Sequence, residues 1–575
     1  MTDTDPDPIA TLTGPGGSFE IVTESVRGVP MQVYKSRLGT MRELIAVAES
    51  HGDKEFVVQG EQRLTFAEHN ERVRVVAANL VRLGVEPGDR VALLSANNLE
   101  WVYTFWACAA AGAICVPLNA WWKADELAFG LEDSGARVLV ADARRWNVVR
   151  EVRDTLKDLE HVFVIDAAGD FTDGARPFAE LDEGTDPGVL PGVTIAEDDI
   201  GGIFYTSGTT GRPKGATITH RQVVANVQNV TVTAIAGMMS GTAPPELSNA
   251  GQTASLLIVP LFHTTGCHAT MLLNYMSGAK LVLMPPGRFD PDATMALIEK
   301  ERITSIGGVP TIMWRMLESP AFGSYDLSSV TRISYGGAPA APELLERIQD
   351  AFPNVRAGLT TAYGLTESAS VATVNSGEDY VSHPGSAGKP VPTVELRIVD
   401  ADGTDAPSGE PGEIWLKGPT ISSHGYWHRP DANAESFADG WFKTGDIGRL
   451  DPDGFLYIVD RAKDLVIRGG ENISCVEVEE ALYEHPDVID AAVVGVPHKT
   501  LGEEVKGVVQ LRDGSTATAD EIRAFCAERL ANFKVPEYIE VISHPLPRNP
   551  AGKVLKQALR GEGTAFADTA SDSAL

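Results

Sequence analysis

Cysteine is scarce in this chain: five in 575 residues, at Cys108, Cys115, Cys267, Cys475 and Cys526, none of them in a Cys-x-x-Cys pair. That excludes a disulfide framework and points to a reducing compartment. Positive charge is also short. Lys and Arg number 48 against 79 Asp and Glu, a formal net charge of −31, and a field this negative repels the phosphate backbone of DNA or RNA. No nucleic-acid partner is expected. Long apolar runs are nearly absent. Trp101–Leu118 approaches the roughly 18 residues of a membrane span, but Gly112 and Pro117 interrupt it. Asn98-Leu99-Glu100 reads as a helix start and Ala113–Val116 as a following buried strand, so the run is a core helix feeding a core strand. No integral membrane segment is expected, which leaves peripheral membrane contact and a homodimer open. The acidic, turn-forming start Met1-Thr2-Asp3-Thr4-Asp5-Pro6 lacks the basic head and apolar run of an export signal, so a cytoplasmic location is expected.

What is present is ordinary globular material, 43% apolar and 22% charged, in a length that suggests about three to five folding units. From about Thr65 helical periods alternate with short apolar strands: Arg90–Ser95, Ala113–Leu118 and Val138–Val140 follow helices through Leu80, Ala111 and Leu131. Strands that read as continuous apolar runs between helices form mostly parallel sheets covered on both faces, which bind ligands beyond the carboxyl ends of their strands. After about Pro390 the pattern alternates at period two, as in Val394–Val399, and is punctuated by Asp402-Gly403 and Pro411-Gly412, so this part reads as antiparallel. Near Asp464 a compact α+β pattern begins. The expected fold class is α/β, with a large N-terminal domain of parallel and mixed sheets, a β-rich subdomain, and a small mobile α+β C-terminal domain. The expected boundaries are a tail over 1–35, the large domain over 36–462 with its β-rich part at about 390–462, the small domain over 463–560, and a tail over 561–575.

The most informative segment is Tyr205-Thr206-Ser207-Gly208-Thr209-Thr210-Gly211-Arg212-Pro213-Lys214-Gly215, in which a short apolar strand runs into a loop dense in Ser, Thr and Gly, with a helix from about Thr219. Glycines let backbone N–H groups wrap phosphate oxygens, hydroxyls add donors, and Lys214 adds charge. The loop is not a Walker A sequence, because Lys214 sits between Pro213 and Gly215. A flexible surface loop is the bland alternative.

This run resembles the signature loop of the adenylate-forming superfamily, which includes acyl-CoA synthetases, adenylation domains of peptide synthetases and firefly luciferase. Further similar motifs follow in order, so the resemblance covers about residues 40–560. It implies that Thr206, Ser207, Gly208, Thr209, Thr210 and Gly211 hold ATP phosphates beside Lys214. Gly336, Gly337, Ala338 and Pro339 resemble the adenine-side turn. Thr361-Ala362-Tyr363-Gly364-Leu365-Thr366-Glu367 resembles the second nucleotide motif, with Tyr363 on adenine, Thr366 at phosphate, and Glu367 with Thr206 holding Mg²⁺. One carboxylate plus phosphate oxygens is a ligand set Mg²⁺ takes. By the same resemblance Asp446 accepts from the ribose, Arg461 contacts ribose or phosphate, and Lys463 is the hinge, where relatives often carry Asp. Arg468, Gly469, Gly470 and Glu471 would meet coenzyme A.

Leu546-Pro547-Arg548-Asn549-Pro550-Ala551-Gly552-Lys553 resembles the motif whose lysine bridges carboxylate and α-phosphate, which makes Lys553 the first catalytic candidate. His263 matches the residue beside the substrate carboxylate. A metal site at His263, Cys267 and His268 is set aside for want of a fourth ligand. The activity implied is a two-step ligation. ATP and a carboxylic acid give an acyl-adenylate and pyrophosphate, then the thiolate of coenzyme A displaces AMP. Small or apolar residues after His263 and at the glycine turn (Thr265, Gly266, Cys267, Met271 and Gly336) suggest an open acyl pocket, hence a medium- or long-chain fatty acid, with an aryl or steroid side-chain acid as alternative. Transfer to a separate carrier protein and a silent nucleotide-binding protein are the other readings. About 15 residues follow Arg560, too few for a fused carrier of roughly 80.

Net charge and phosphate ligands are reconciled by distribution. Between Ile200 and Phe289 the only acid is Glu246, against Arg212, Lys214, Arg221, Lys280 and Arg288, and Val541–Gly561 holds four cations and no acid. Local field governs a small anion's approach.

Overall fold

A computed structural model describes residues 7–166, 174–206, 212–241, 251–285, 287, 289–308, 310–336, 342–461, 464–468, 471–512, 514–549 and 552–560. The large domain is built on two sheets. One has seven strands in the order Lys214–Thr219, Ile200–Thr206, Ile114–Pro117, Arg90–Leu94, Val138–Asp142, His161–Ile165, Arg176–Pro177, all parallel except the first. The other has nine, with a parallel centre (Leu359–Tyr363, Arg332–Gly336, Ser305–Gly308, Ala254–Leu257, Lys280–Leu283, Glu55–Gln59) and antiparallel edges.

The apolar run of the sequence lies between these sheets. Asn98 starts the helix Leu99–Ala111 by accepting from the Trp101 N–H, and Gly112 ends it in the left-handed region at φ 72°. Trp101, Phe105 and Trp106 are fully buried and join one core with Val57 and Leu281 of one sheet and Val91 and Phe204 of the other. Each such side chain contributes about 1.5–3 kcal/mol relative to exposure. No described helix is long and apolar enough to cross a membrane.

Two segments differ from the sequence reading. The stretch expected as a tail through residue 35 is folded from Pro8, as a short helix, Pro8–Thr13, and a hairpin, Ile21–Val26 with Val29–Tyr34. Val26, Met31 and Val33 are buried, and Tyr34, also buried, donates its hydroxyl to Asn229 Oδ1 at 2.8 Å. The apolar residues are too few and too short-ranged to stand out beside acidic neighbours. The second is Lys214–Thr219, a strand antiparallel to Ile200–Thr206, where the sequence suggests loop running into helix. The helix His220–Met239 then begins at a capping box of Thr219 and Gln222.

Beyond residue 395 an antiparallel five-stranded sheet forms from Glu395–Val399, Gly412–Lys417, Trp441–Leu450, Phe437–Ala438 and Leu456–Arg461. The C-terminal domain has its own five-stranded sheet, with Val478, Leu482, Ile522 and Cys526 of two helices packed against Val493, Val505 and Val509. At the junction the Cys475 N–H donates to Asp460 Oδ2 at 2.5 Å and Ser474 Oγ donates to the Val459 carbonyl at 2.8 Å. All five thiols are buried and free.

Candidate active site

The strands Ile200–Thr206 and Lys214–Thr219 pair Thr206 with Lys214, which delivers both ends of the glycine-rich loop to one place. The loop residues Ser207, Gly208, Thr209, Thr210 and Gly211 lie outside the described residues, as do Gly337, Ala338, Pro339, Lys463, Gly469 and Gly470. Lys214 Nζ stands 5.0 Å over the ring of Tyr426, whose hydroxyl donates to Glu367 Oε1 at 2.6 Å. One aromatic ring thus joins the loop lysine to the carboxylate. The segment bearing Tyr426 is zipped to the return strand: the Thr217 N–H donates to the Gly425 carbonyl at 3.1 Å and the Trp427 N–H to the Gly215 carbonyl at 2.7 Å. Burial pushes the Glu367 carboxyl above its ordinary range, against the Tyr426 hydrogen bond and the Arg461 charge.

Thr361, Ala362 and Tyr363 end a central parallel strand, with Ala362 paired to Gly336. At Gly364 the chain passes so close to itself that a Cβ would stand 1.5 Å from the Ser370 carbonyl oxygen, and the turn Thr366–Ser368 carries Glu367. The Tyr363 hydroxyl donates to Asp446 Oδ2 at 2.7 Å, and Arg461 Nε lies 3.0 Å from Asp446 Oδ1. Asp446 and Arg461 face each other across neighbouring antiparallel strands. The buried Asp446 is therefore aimed by two donors from different elements.

Lys553 belongs to a tight hairpin. The Asn549 N–H donates to the Lys553 carbonyl at 2.7 Å, the Lys553 N–H to Asn549 Oδ1 at 2.9 Å, and Gly552 takes φ 81°, a conformation that favours glycine. Its side chain keeps solvent-accessible surface in a crowded cleft. Crowding lowers the ammonium pKa first, Arg461 adds to this, and Asp446 and Glu367 oppose it. His263 faces the same charge. Burial, and then the charge of Lys553, depress its pKa to about 4, and its Nε2 is buried without a partner among the described residues. The fold therefore gathers Lys553, His263, Glu367, Asp446 and Arg461 at one place, from both domains.

Gly266, Cys267 and Met271 are placed differently from the sequence expectation. Gly266 is small because its backbone passes Pro260, whose carbonyl oxygen a Cβ would meet at 2.3 Å. Cys267 and Met271 are fully buried in the core and do not open a cavity, whereas Thr265 is exposed. A π-helical turn, Cys267–Leu272, follows, and His268 directs Nδ1 to the Ala369 carbonyl at 3.1 Å. Arg468 donates Nε–H to Glu504 Oε1 at 2.5 Å within the small domain and pairs across a short hairpin with Glu471, which is exposed. Sequence reasoning missed Tyr426. Its signal is the turn Gly425-Tyr426-Trp427, which carries no charge and no motif spacing.

A hydroxyl- and glycine-rich loop, a buried carboxylate beside its lysine, a second carboxylate aimed by tyrosine and arginine, and a lysine hairpin supplied by a small C-terminal domain define the class of two-domain adenylate-forming enzymes. The chain belongs to the AMP-binding enzyme family: the family model matches residues 44–427, and the model of the AMP-binding enzyme C-terminal domain matches residues 477–553. It is 38% identical over 504 residues to a feruloyl-CoA synthase from Amycolatopsis sp, covering 88% of this chain and 95% of that one. It is 34% identical to a long-chain-fatty-acid–CoA ligase from Mycobacterium tuberculosis, over 88% of this chain and 94% of that one. Among solved structures it resembles an anthranilate CoA ligase in complex with anthranoyl-AMP, with TM-score 0.81, 27% identity, and coverage of 91% and 97%. It also resembles the o-succinylbenzoate CoA synthetase of Bacillus subtilis with its acyl-adenylate, with TM-score 0.75, 30% identity, and coverage of 91% and 98%. The chain is an AMP-forming acid–CoA ligase, which uses ATP and coenzyme A and works through an acyl-adenylate.

Proposed function

We propose that the acid is a compact hydrophobic, ring-bearing carboxylic acid, with a medium- or long-chain fatty acid as the second reading. The observation that carries this is the packing behind His263. Cys267 and Met271, two of the residues expected to line an open acyl pocket, are core residues, and Phe262 and Trp121 pack edge to face at 5.1 Å beside the histidine. Relatives named for feruloyl-CoA and anthranilate support the aryl acid, and the mycobacterial relative supports the fatty acid.

In this reading the uncharged His263 presents its unpartnered Nε2 to the substrate carboxylate, and Lys553 neutralises the charge that develops between carboxylate and α-phosphate. Preorganised cations at such a point are worth about 10²–10³ in rate. Asp446 orients the ribose and Tyr363 the adenine. Thr366 and the loop Thr206–Gly211 hold phosphate oxygens. Glu367 is a buried hard oxygen donor bonded to the Tyr426 hydroxyl, whose ring Lys214 overlies, with no ion pair of its own among the described residues; this fits Mg²⁺, which Glu367 would hold with Thr206 and which would offset charge on the ATP phosphates. Lys463 would be the hinge at the boundary between residues 36–462 and 463–560, and Arg468 to Glu471 would approach coenzyme A after rotation. The test is pyrophosphate release and thioester formation over aryl acids and fatty acids of graded length, with and without coenzyme A. Highest kcat/KM for aryl acids with obligatory thioester product supports the proposal; turnover confined to long chains moves it to the second reading, and AMP formation without thioester contradicts it.

A further inference from the structure

We infer that Arg548 is a positioning residue for Lys553, acting as a clamp that fixes the lysine hairpin during adenylation. The inference rests on the reading of Lys553 as the adenylation lysine. Arg548 Nη1 donates to the Gly552 carbonyl at 2.6 Å, one peptide before Lys553, while Nη2 donates to both carboxylate oxygens of Asp490 at 2.7 and 2.8 Å. The guanidinium therefore ties the turn to the domain's central sheet with a rigid planar fork, which a point-charge ammonium does not reproduce.

The anchor is itself fixed. Asp490 lies where the register of the strand Val488–His498 shifts, and irregularities of this kind re-aim side chains. It also accepts from the Tyr483 hydroxyl at 2.9 Å and from the Ala491 N–H at 3.1 Å. The Arg548 and Asp490 side chains are only 15% and 9% exposed, so the pair is little screened and the cost of leaving either partner alone is high. On the opposite side the hairpin is held by Leu546, buried with Ala492 and Val508. Leu546 thus anchors the base of the hairpin, the Asn549–Lys553 hydrogen bonds close it, and Arg548 ties the Gly552 carbonyl beside Lys553 to the sheet.

A clamp on Lys553 acts only while Lys553 is at the reacting atoms. Arg548→Lys keeps the charge opposite Asp490 but cannot reach Gly552 and Asp490 together. It is expected to keep the thermal midpoint and the ATP KM near wild type, to lower kcat of acyl-adenylate formation about 10–100-fold, the scale of a misplacement near 1 Å, and to leave thioester formation from supplied acyl-adenylate unchanged. Arg548→Ala is expected to show the same split more strongly, and if it fails to fold, Arg548→Lys decides. Equal loss of both half-reactions in a folded variant, or unimpaired adenylation, overturns the inference. Lys553→Ala, measured in parallel, separates the levels: if it retains adenylation the underlying reading is wrong, and if it loses adenylation while the Arg548 variants do not, only the clamp is wrong.

Discussion

Arg512 of the C-terminal domain donates Nη1–H to Glu318 Oε1 of the large domain at 3.0 Å, and its guanidinium also lies 5.9 Å from the ring of Trp314. Trp314 takes Arg347 at 4.9 Å as well. In this structure the contact accompanies the arrangement in which Lys553 feels the charges of Glu367 and Asp446.

Both side chains of the pair are about a third exposed, at 33% and 34%, so it is worth at most about 1 kcal/mol. Arg512→Ala or Glu318→Ala is expected to lower ATP–pyrophosphate exchange about two- to fivefold without slowing thioester formation from acyl-adenylate. High salt should bring wild type toward the variants, and the charge-swapped double variant should recover. Equal slowing of both half-reactions would show that the contact does not select an orientation.

The aim of Asp446 depends on Tyr363. Tyr363→Phe removes a donor from a buried carboxylate, which costs about 1–3 kcal/mol, and is expected to raise the KM for ATP about tenfold in the exchange assay. Asp446→Asn should raise it further. An unchanged KM in both would remove Asp446 from the nucleotide site.

Gly364 and Gly192 provide a backbone test. A Cβ at Gly364 meets the Ser370 carbonyl oxygen at 1.5 Å, and at Gly192 it meets nothing within 4 Å. Gly364→Ala should lose soluble folded enzyme or most of its thermal stability. Gly192→Ala should stay within about 0.5 kcal/mol of wild type. Thermal melts decide, and two equal midpoints would contradict the close approach.

His69, His220 and His268 are buried and His263 is half-buried in the crowded cleft, and desolvation depresses each pKa from 6.5 to about 4. Because the folded values lie below the unfolded one, their contribution is complete above pH 6.5 and is lost as pH falls towards about 4. Unfolded chains take up these protons first, at about 1.4 kcal/mol per pH unit for each histidine. His69 packs among Phe56 and Tyr275, so His69→Phe should fold and should show a shallower loss of stability between those pH values. Parallel stability curves would contradict this.

The parallel sheets and the core helix Leu99–Ala111 were legible in the sequence because apolar periodicity and the Asn98 and Gly112 caps agree there. The charged residues of the candidate site were read from motifs, and Lys553, Glu367, Asp446 and Arg461 come together in the fold. The N-terminal hairpin, the return strand Lys214–Thr219 and the support residues were not. Tyr426 and the Arg548–Asp490 clamp depend on partners 59 and 58 residues away, and no local period records such a pairing. Gly266 misled in the opposite sense: its smallness serves a close backbone approach, which from sequence alone looks the same as an open pocket.

The most direct measurement is the pair of half-reactions in Lys553→Ala. ATP–pyrophosphate exchange with a preferred acid is expected to fall by at least about 10² while conversion of supplied acyl-adenylate and coenzyme A to thioester stays near the wild-type rate. Equal loss of both steps, or exchange that survives the substitution, would remove Lys553 from the adenylation step.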